Sequence, residues 1–327
     1  MQRRNFIKAI PGAAAAWPAV VLAQSAGMPV VGFLSSQSAG PAVANRVAGF
    51  RAGLSELNYV EGRNVLVEYR WAEGRYDQLP ALARDLVHRK VAVIAALTQD
   101  AALAAKAATS TLPIVFNVGG DPVKHGLAAS MNRPGGNATG VSMFTNQLEG
   151  KRLGLLHEMV PKVTAIGVLI NPDNASADSQ QKEVEGAARS LGLQIHLRHA
   201  SRANDLPTAC EGLVQAGAQA LMPAADPFFA NQRVSLVSLA AKYRLAAIWE
   251  WPDFVEGGGL MSYGTSIVDN YRQAGVYTGR ILKGAAPADL PVLQPTKFVL
   301  AVNLQTARAL GIEVPPTLIG RADDVIE

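Results

Sequence analysis

Two aspartates carry the first hint of chemistry. Asp121 and Asp226 each stand just past an apolar run, in Asp121-Pro122-Val123 and Ala225-Asp226-Pro227-Phe228. A carboxylate pair across a cleft could serve a glycosidase, provided its separation were held constant. An aspartate before proline also caps the turn that follows, because its side chain accepts the first free N–H groups. Capping and ligand contact are compatible roles. Other reactive patterns are missing. No Gly-x-Ser-x-Gly elbow occurs, so a serine hydrolase lacks its nucleophile. Gly150-Lys151 has no glycine five residues earlier and no following Ser or Thr, which excludes a phosphate loop. Ser35-Ser36-Gln37 stands where a dinucleotide fold would place its glycines. His196 and His199, on or just past a strand, are expected on opposite faces, His88 and His157 on amphipathic helices, and only His125 near the cleft. The single cysteine, Cys210, excludes an intramolecular disulfide and any cysteine-rich metal site. No cofactor or metal is expected.

The chain that positions these residues has 327 of them, 49 % apolar and 17 % charged, enough for two domains. Its net charge of +4 is concentrated at one end. Without Arg3, Arg4 and Lys8 the balance is 27 basic against 26 acidic residues, so no broad nucleic-acid-binding field exists. Residues 1–23 read as an export signal: a basic start, an apolar Ala-rich run, and small Ala23 before a cleavage point at Gln24. Arg3-Arg4-Asn5-Phe6-Ile7-Lys8 is similar to a twin-arginine signal, with a general secretory signal as the alternative. No later stretch is long and apolar enough to span a membrane.

Strand and helix patterns alternate through the rest. Val30–Ser35 is a short apolar run ending in hydroxyls, as a buried parallel strand would be. Val43, Val47, Phe50, Leu54 and Leu57 form one helical stripe, weakened slightly by Gly53. Strands are expected at Val65–Tyr69, Val91–Ala96, Ile114–Asn117 and Gly140–Met143. The second half repeats the plan at Ala165–Ile170, Gln194–Arg198, Ala220–Pro223, Ala246–Trp249 and Leu260–Tyr263. The fold class is therefore α/β, with two similar doubly wound parallel-sheet lobes and a ligand cleft between them. The expected division is 28–145 plus 284–327 for the N-terminal lobe, 146–266 for the C-terminal lobe, and a crossover helix at 267–283. The last strand, Phe298–Val302, is expected to return to the first lobe.

Ligands of open parallel sheets bind beyond the carboxyl ends of the strands. Those ends supply the candidate ligand-binding residues Ser35, Ser36, Thr98, Gln99 and Asp121 from one half. Asn171, Asp226, Phe228, Trp249, Glu250 and Tyr263 come from the other. Hydroxyls, amides and carboxylates beside aromatics suit a small polar ligand with an apolar part.

Specific stretches add a resemblance. They are Val31-Gly32-Phe33-Leu34, Tyr59-Val60-Glu61-Gly62-Arg63-Asn64-Val65, Asn132-Arg133-Pro134-Gly135-Gly136-Asn137-Ala138-Thr139-Gly140-Val141-Ser142, Ala225-Asp226-Pro227-Phe228-Phe229 and Gly258-Gly259-Leu260-Met261-Ser262-Tyr263-Gly264. In these the chain resembles the periplasmic substrate-binding proteins of ABC transporters, in the branch that includes tryptophan and tyrosine binders. The resemblance implies a type I periplasmic-binding fold with three crossovers, near 144–148, 264–268 and 284–296. It also implies a small-molecule ligand trapped by lobe closure, a permease and ATPase as partners, a periplasmic location and no catalysis. A monomer is expected. Where aromatic-amino-acid binders of the branch carry an acid after the Gly-Val-Ser strand, Met143 and Phe144 stand here. An amino-acid carboxylate would meet Ser35, Thr98 and nearby amides. Its ammonium would meet Asp226 first, then Asp121 or Glu250, with a side chain against Phe228 or Trp249. Two alternatives stay open: a ligand sensor that presents its closed form to a receptor, and an α/β hydrolase.

Overall fold

Short, β-branched apolar runs between amphipathic segments build the first lobe as a chain of strand–helix units. In the computed structural model, which describes residues 27–327, these are β1 (Val30–Ser35), α1 (Pro41–Glu56), β2 (Leu66–Trp71), α2 (Leu79–His88), β3 (Val93–Ala96), α3 (Gln99–Ala108), β4 (Ile114–Val118) and β5 (Ala138–Ser142). The export-signal expectation for residues 1–23 lies outside the described residues. The strands form one parallel sheet in the order β2-β1-β3-β4-β5. Every residue of β3, β4 and β5 is buried, as helices on both faces require.

The second lobe runs through α4 (Glu149–Met159), β6 (Ala165–Ile170), α5 (Ala177–Leu191), β7 (Gln194–His199), α6 (Asp205–Gln215), β8 (Ala220–Pro223), α7 (Pro227–Asn231), α8 (Arg233–Lys242), β9 (Ala246–Trp249), α9 (Pro252–Glu256) and β10 (Met261–Thr265). Its order β7-β6-β8-β9-β10 repeats that of the first sheet strand for strand. The chain then returns to the first lobe as α10 (Ile267–Leu282), which packs along α1 and over β3, β4 and β5. The close approach needs glycine. A side chain at Gly53 would run into the Arg272 carbonyl, and one at Gly275 into the Phe50 carbonyl. Gly53 thus permits helix contact rather than merely interrupting a stripe.

The last part of the chain corrects the expected division. Residues after α10 first cover the open edge of β5, where Leu293 N–H donates to the Gly140 carbonyl at 2.8 Å and Ser142 N–H to the Leu293 carbonyl at 2.9 Å. With that edge covered, Phe298–Val302 does not join the first sheet. It lies in β11 (Phe298–Asn303), antiparallel to β10 in the second sheet, followed by α11 (Leu304–Leu310), α12 (Pro316–Ile319) and β12 (Asp324–Ile326), which pairs parallel to β11. Leu300 and Val302 are buried there with Ile248 and Met261. So 267–293 belongs with the first lobe and 298–327 with the second, not 284–327 with the first. Among the described residues, no helix is long and apolar enough to cross a membrane.

Candidate ligand-binding site

Because both sheets direct their carboxyl ends inward, their strand-end loops meet between the lobes. Between them lies a narrow cleft lined by residues of both lobes. From the first lobe come Gln37, Arg46, Thr98, Gln99 and Tyr271; from the second come Asn174, Asp226, Glu250 and Trp251. Apolar wall is supplied by Leu97, Met143 and Ile267. These side chains belong to one packed cluster that runs from Phe50 and Leu54 to Phe228 and Leu236, joining the lobes.

Polar contacts cross the cleft. The Tyr76 hydroxyl donates to Asp226 at 3.1 and 3.2 Å. Gln99 Nε2 donates to Ser176 Oγ at 2.8 Å, and Ala175 N–H to Asp100 Oδ1 at 3.3 Å. His125 Nε2 lies 3.3 Å from Ser176 Oγ. The Arg46 guanidinium sits 4.8 Å from the centre of the Trp251 ring and 3.5 Å from Asp253.

Asp226 is the hub. It caps α7 by accepting from Phe228 N–H at 2.7 Å, and it also accepts from Asn171 at 3.1 Å and Asn174 at 2.6 Å. Burial raises its pKa, while these donors and Tyr76 hold the rise back. The Tyr76 hydroxyl is pushed well above its usual range by burial and then by the Asp226 charge. Asp100 is pushed up to about 7 by burial first and by Asp226 second. Burial raises Glu250 well above the ordinary carboxyl range, against the pull of Arg152 and Arg46. Behind Glu250 lies a buried ion pair, Arg152 to Glu149 at 2.8 Å; the same Glu149 oxygen accepts from Ala225 N–H at 2.9 Å. That pair stiffens the loop carrying Asp226.

Residues 33–326 match the family of ABC transporter substrate-binding proteins. The chain belongs to that family. Its members are non-catalytic transporter components. This substrate-binding protein is 24 % identical over 273 residues to a tyrosine-binding protein of Clostridioides difficile, covering 84 % of this chain and 78 % of the relative. Among solved structures it is similar to a conserved domain protein of Vibrio cholerae (TM-score 0.83, 26 % identity, 91 % of this chain and 99 % of that one). It is also similar to an L-Trp complex from Streptococcus pneumoniae (TM-score 0.82, 25 % identity, 91 % and 99 %).

Of the residues singled out in the sequence of this binding protein, Thr98, Gln99, Asp226 and Glu250 line the cleft. Ser35, Ser36 and Asn171 stand behind it as supports. Ser36 donates N–H and hydroxyl to Thr98 Oγ1, both at 3.1 Å, and Ser35 Oγ accepts from Gln37 N–H at 3.2 Å. Four candidates face elsewhere. Asp121 caps its own turn and lines an outer groove with His125. The Phe228 ring packs against Phe229, with centroids 5.3 Å apart. Trp249, still inside β9, stacks on Phe254 at 4.7 Å, whereas Trp251, past the strand end, reaches the cleft. Tyr263 stacks on Phe298 at 6.1 Å, because β11 lies beside β10. Arg46, Tyr76 and Tyr271 were not anticipated. Arg46 had a signal: it falls among Val43, Val47 and Phe50 on the apolar stripe of α1, where a charged residue needs a reason. Tyr76 had none, since its partner is 150 residues away.

Proposed function

We propose that the protein captures a small amino-acid-like ligand outside the cytoplasm by closing its two lobes, and presents the closed form to a permease and its ATPase. The observation that carries this reading is the cleft itself, walled by strand ends of both sheets and bridged by hydrogen bonds from one lobe to the other. Backbone connects the lobes at three places, after β5, after β10 and before β11, so one can swing against the other about these segments. A tyrosine binder and an L-Trp complex among the relatives favour amino acids as the first compounds to try.

The test is a thermal-shift screen of amino acids, aromatic acids, small carboxylates and sugars, followed by small-angle scattering with each hit. A ligand at about 100 times its Kd adds roughly 2.7 kcal/mol of stability, and the radius of gyration should fall. Binding without any compaction would overturn the closing-cleft reading.

A further inference from the structure

Three buried polar atoms in the cleft residues have no hydrogen-bond partner among the described residues: Arg46 Nε, Trp251 Nε1 and Glu250 Oε2. They come from opposite sides. Arg46 is carried by α1 of the first lobe; Glu250 and Trp251 follow β9 of the second. Arg46 is only 3 % exposed, yet its one ion pair, to Asp253, is long at 3.5 Å and is shared with Arg233 at 3.3 Å. A guanidinium so deeply buried is usually matched by close carboxylate contacts, because an unpaired buried charge is costly. The other buried arginine, Arg152, has such a contact at 2.8 Å. Asp226 cannot compensate, since Tyr76, Asn171, Asn174 and Phe228 N–H already occupy its oxygens.

Two unpartnered N–H donors and one unpartnered carboxyl oxygen, carried by residues that line one small cavity, complement the head group of an α-amino acid. We propose that Arg46 and the indole N–H of Trp251 receive the ligand's carboxylate and that Glu250 takes its amino group. The assignment rests on the capture reading and deepens it by naming the residues that hold the head group and make it selective. A planar guanidinium offers directed donors that match a carboxylate. Since the two donors belong to different lobes, the carboxylate gains both only when the cleft is shut. Its affinity difference between open and closed forms is then what drives closure. An amine without the carboxylate leaves Arg46 under-paired and does not drive it.

The experiment compares compounds that share a side chain and differ in head group. L-phenylalanine and L-leucine are each set against their carboxamides and their decarboxylated amines, with D-ribose and myo-inositol as neutral controls. Thermal shift and calorimetry read binding. At least one amino acid should bind, with its amide and amine weaker by at least about tenfold. Arg46→Met should remove that preference and Trp251→Phe, which keeps the ring but loses the N–H, should reduce it; circular dichroism confirms that each variant is folded. Amide or amine binding equal to the amino acid's, or an unchanged Kd in both variants, would overturn the assignment. A response to ribose or inositol alone would also overturn it while leaving the capture reading intact. No response to any compound would sink the head-group assignment, and the screen above then decides the capture reading separately.

Discussion

Asp121 and Asp226 open the same Asp-Pro turn after a strand in each lobe. Locally they behave alike. Asp121 Oδ1 accepts from Val123 N–H at 2.9 Å, and Asp226 Oδ1 from Phe228 N–H at 2.7 Å. Beyond the turn they part. Asp121 is partly exposed on an outer groove, whereas Asp226 is 1 % exposed and gathers three further side-chain donors, one of them from the opposite lobe. A short motif therefore settles the cap, and tertiary placement settles whether the carboxylate also joins two lobes.

The largest effect expected from this contrast is that of Asp226→Ala. It strands the amides of Asn171 and Asn174 and the Tyr76 hydroxyl in a buried place, and it removes a cap as well. Unsatisfied buried donors and a lost cap together should lower unfolding stability by about 3 kcal/mol. A denaturant midpoint equal to that of the parent would mean that the donors find other partners and that the hub is not one.

Tyr76→Phe isolates the part that spans the cleft. The ring stays, and only the hydroxyl bond to Asp226 is lost. A hydrogen bond to a charged acceptor contributes about 1.5–3 kcal/mol, and water replaces it when the lobes open. The unliganded protein should therefore shift toward the open form by roughly ten- to a hundredfold, read as energy transfer between labels on the two lobes. An unmoved equilibrium would demote this contact to packing. Asp121→Ala should be milder still, at about 1 kcal/mol of stability for the cap alone, with ligand affinity unchanged. A loss of affinity there would restore Asp121 to the site and erase the contrast with Asp226.

The sequence was most legible where one local signal decides one local outcome. Val30–Ser35, Ala165–Ile170, Ala220–Pro223 and Ala246–Trp249 form strands with the expected bounds, because buried parallel strands read as continuous apolar runs. Phe298–Val302 was equally legible as a strand but not as a member of a particular sheet. That depended on whether the β5 edge was free, and Leu293 covers it. In the site, Thr98, Gln99, Asp226 and Glu250 followed from lying just past strand ends. The aromatic at the cleft was misplaced from Trp251 to Trp249, since two residues decide whether a ring stays in the sheet or leaves it. Arg46 was hidden by its position on a helix, away from any strand end, although its place on an apolar stripe marked it.

The smallest expected effect is one of pH, and it separates the two aspartates once more through a neighbour only Asp226 has. Asp100 lies in the first turn of α3 in the first lobe; its Oδ1 accepts from Ala175 N–H of the second, and Oδ2 is buried without a partner among the described residues. Burial, then the charge of Asp226, and more weakly that of Asp173, raise its pKa from 3.8 to about 7. Asp226, Asp173 and Ala175 all belong to the second lobe, so opening the cleft relieves the shift and returns Asp100 toward 3.8. Closure then takes up a proton between these two values. Below about pH 4 both forms carry it and closure bears no penalty; as pH rises toward 7 the penalty grows, and above 7 it is complete. Lowering pH from 7.5 to 5.5 should therefore favour the closed unliganded form, by no more than about tenfold per pH unit for a single proton. Glu250, raised by its own burial, would act in the same direction. Asp100→Asn should flatten the part of the profile near 7 while leaving that of an Asp121→Asn variant steep. A wild-type equilibrium that does not move between pH 7.5 and 5.5 would mean that the Asp100 carboxyl keeps the same surroundings in both forms, so that Asp226 senses nothing across the cleft beyond Tyr76.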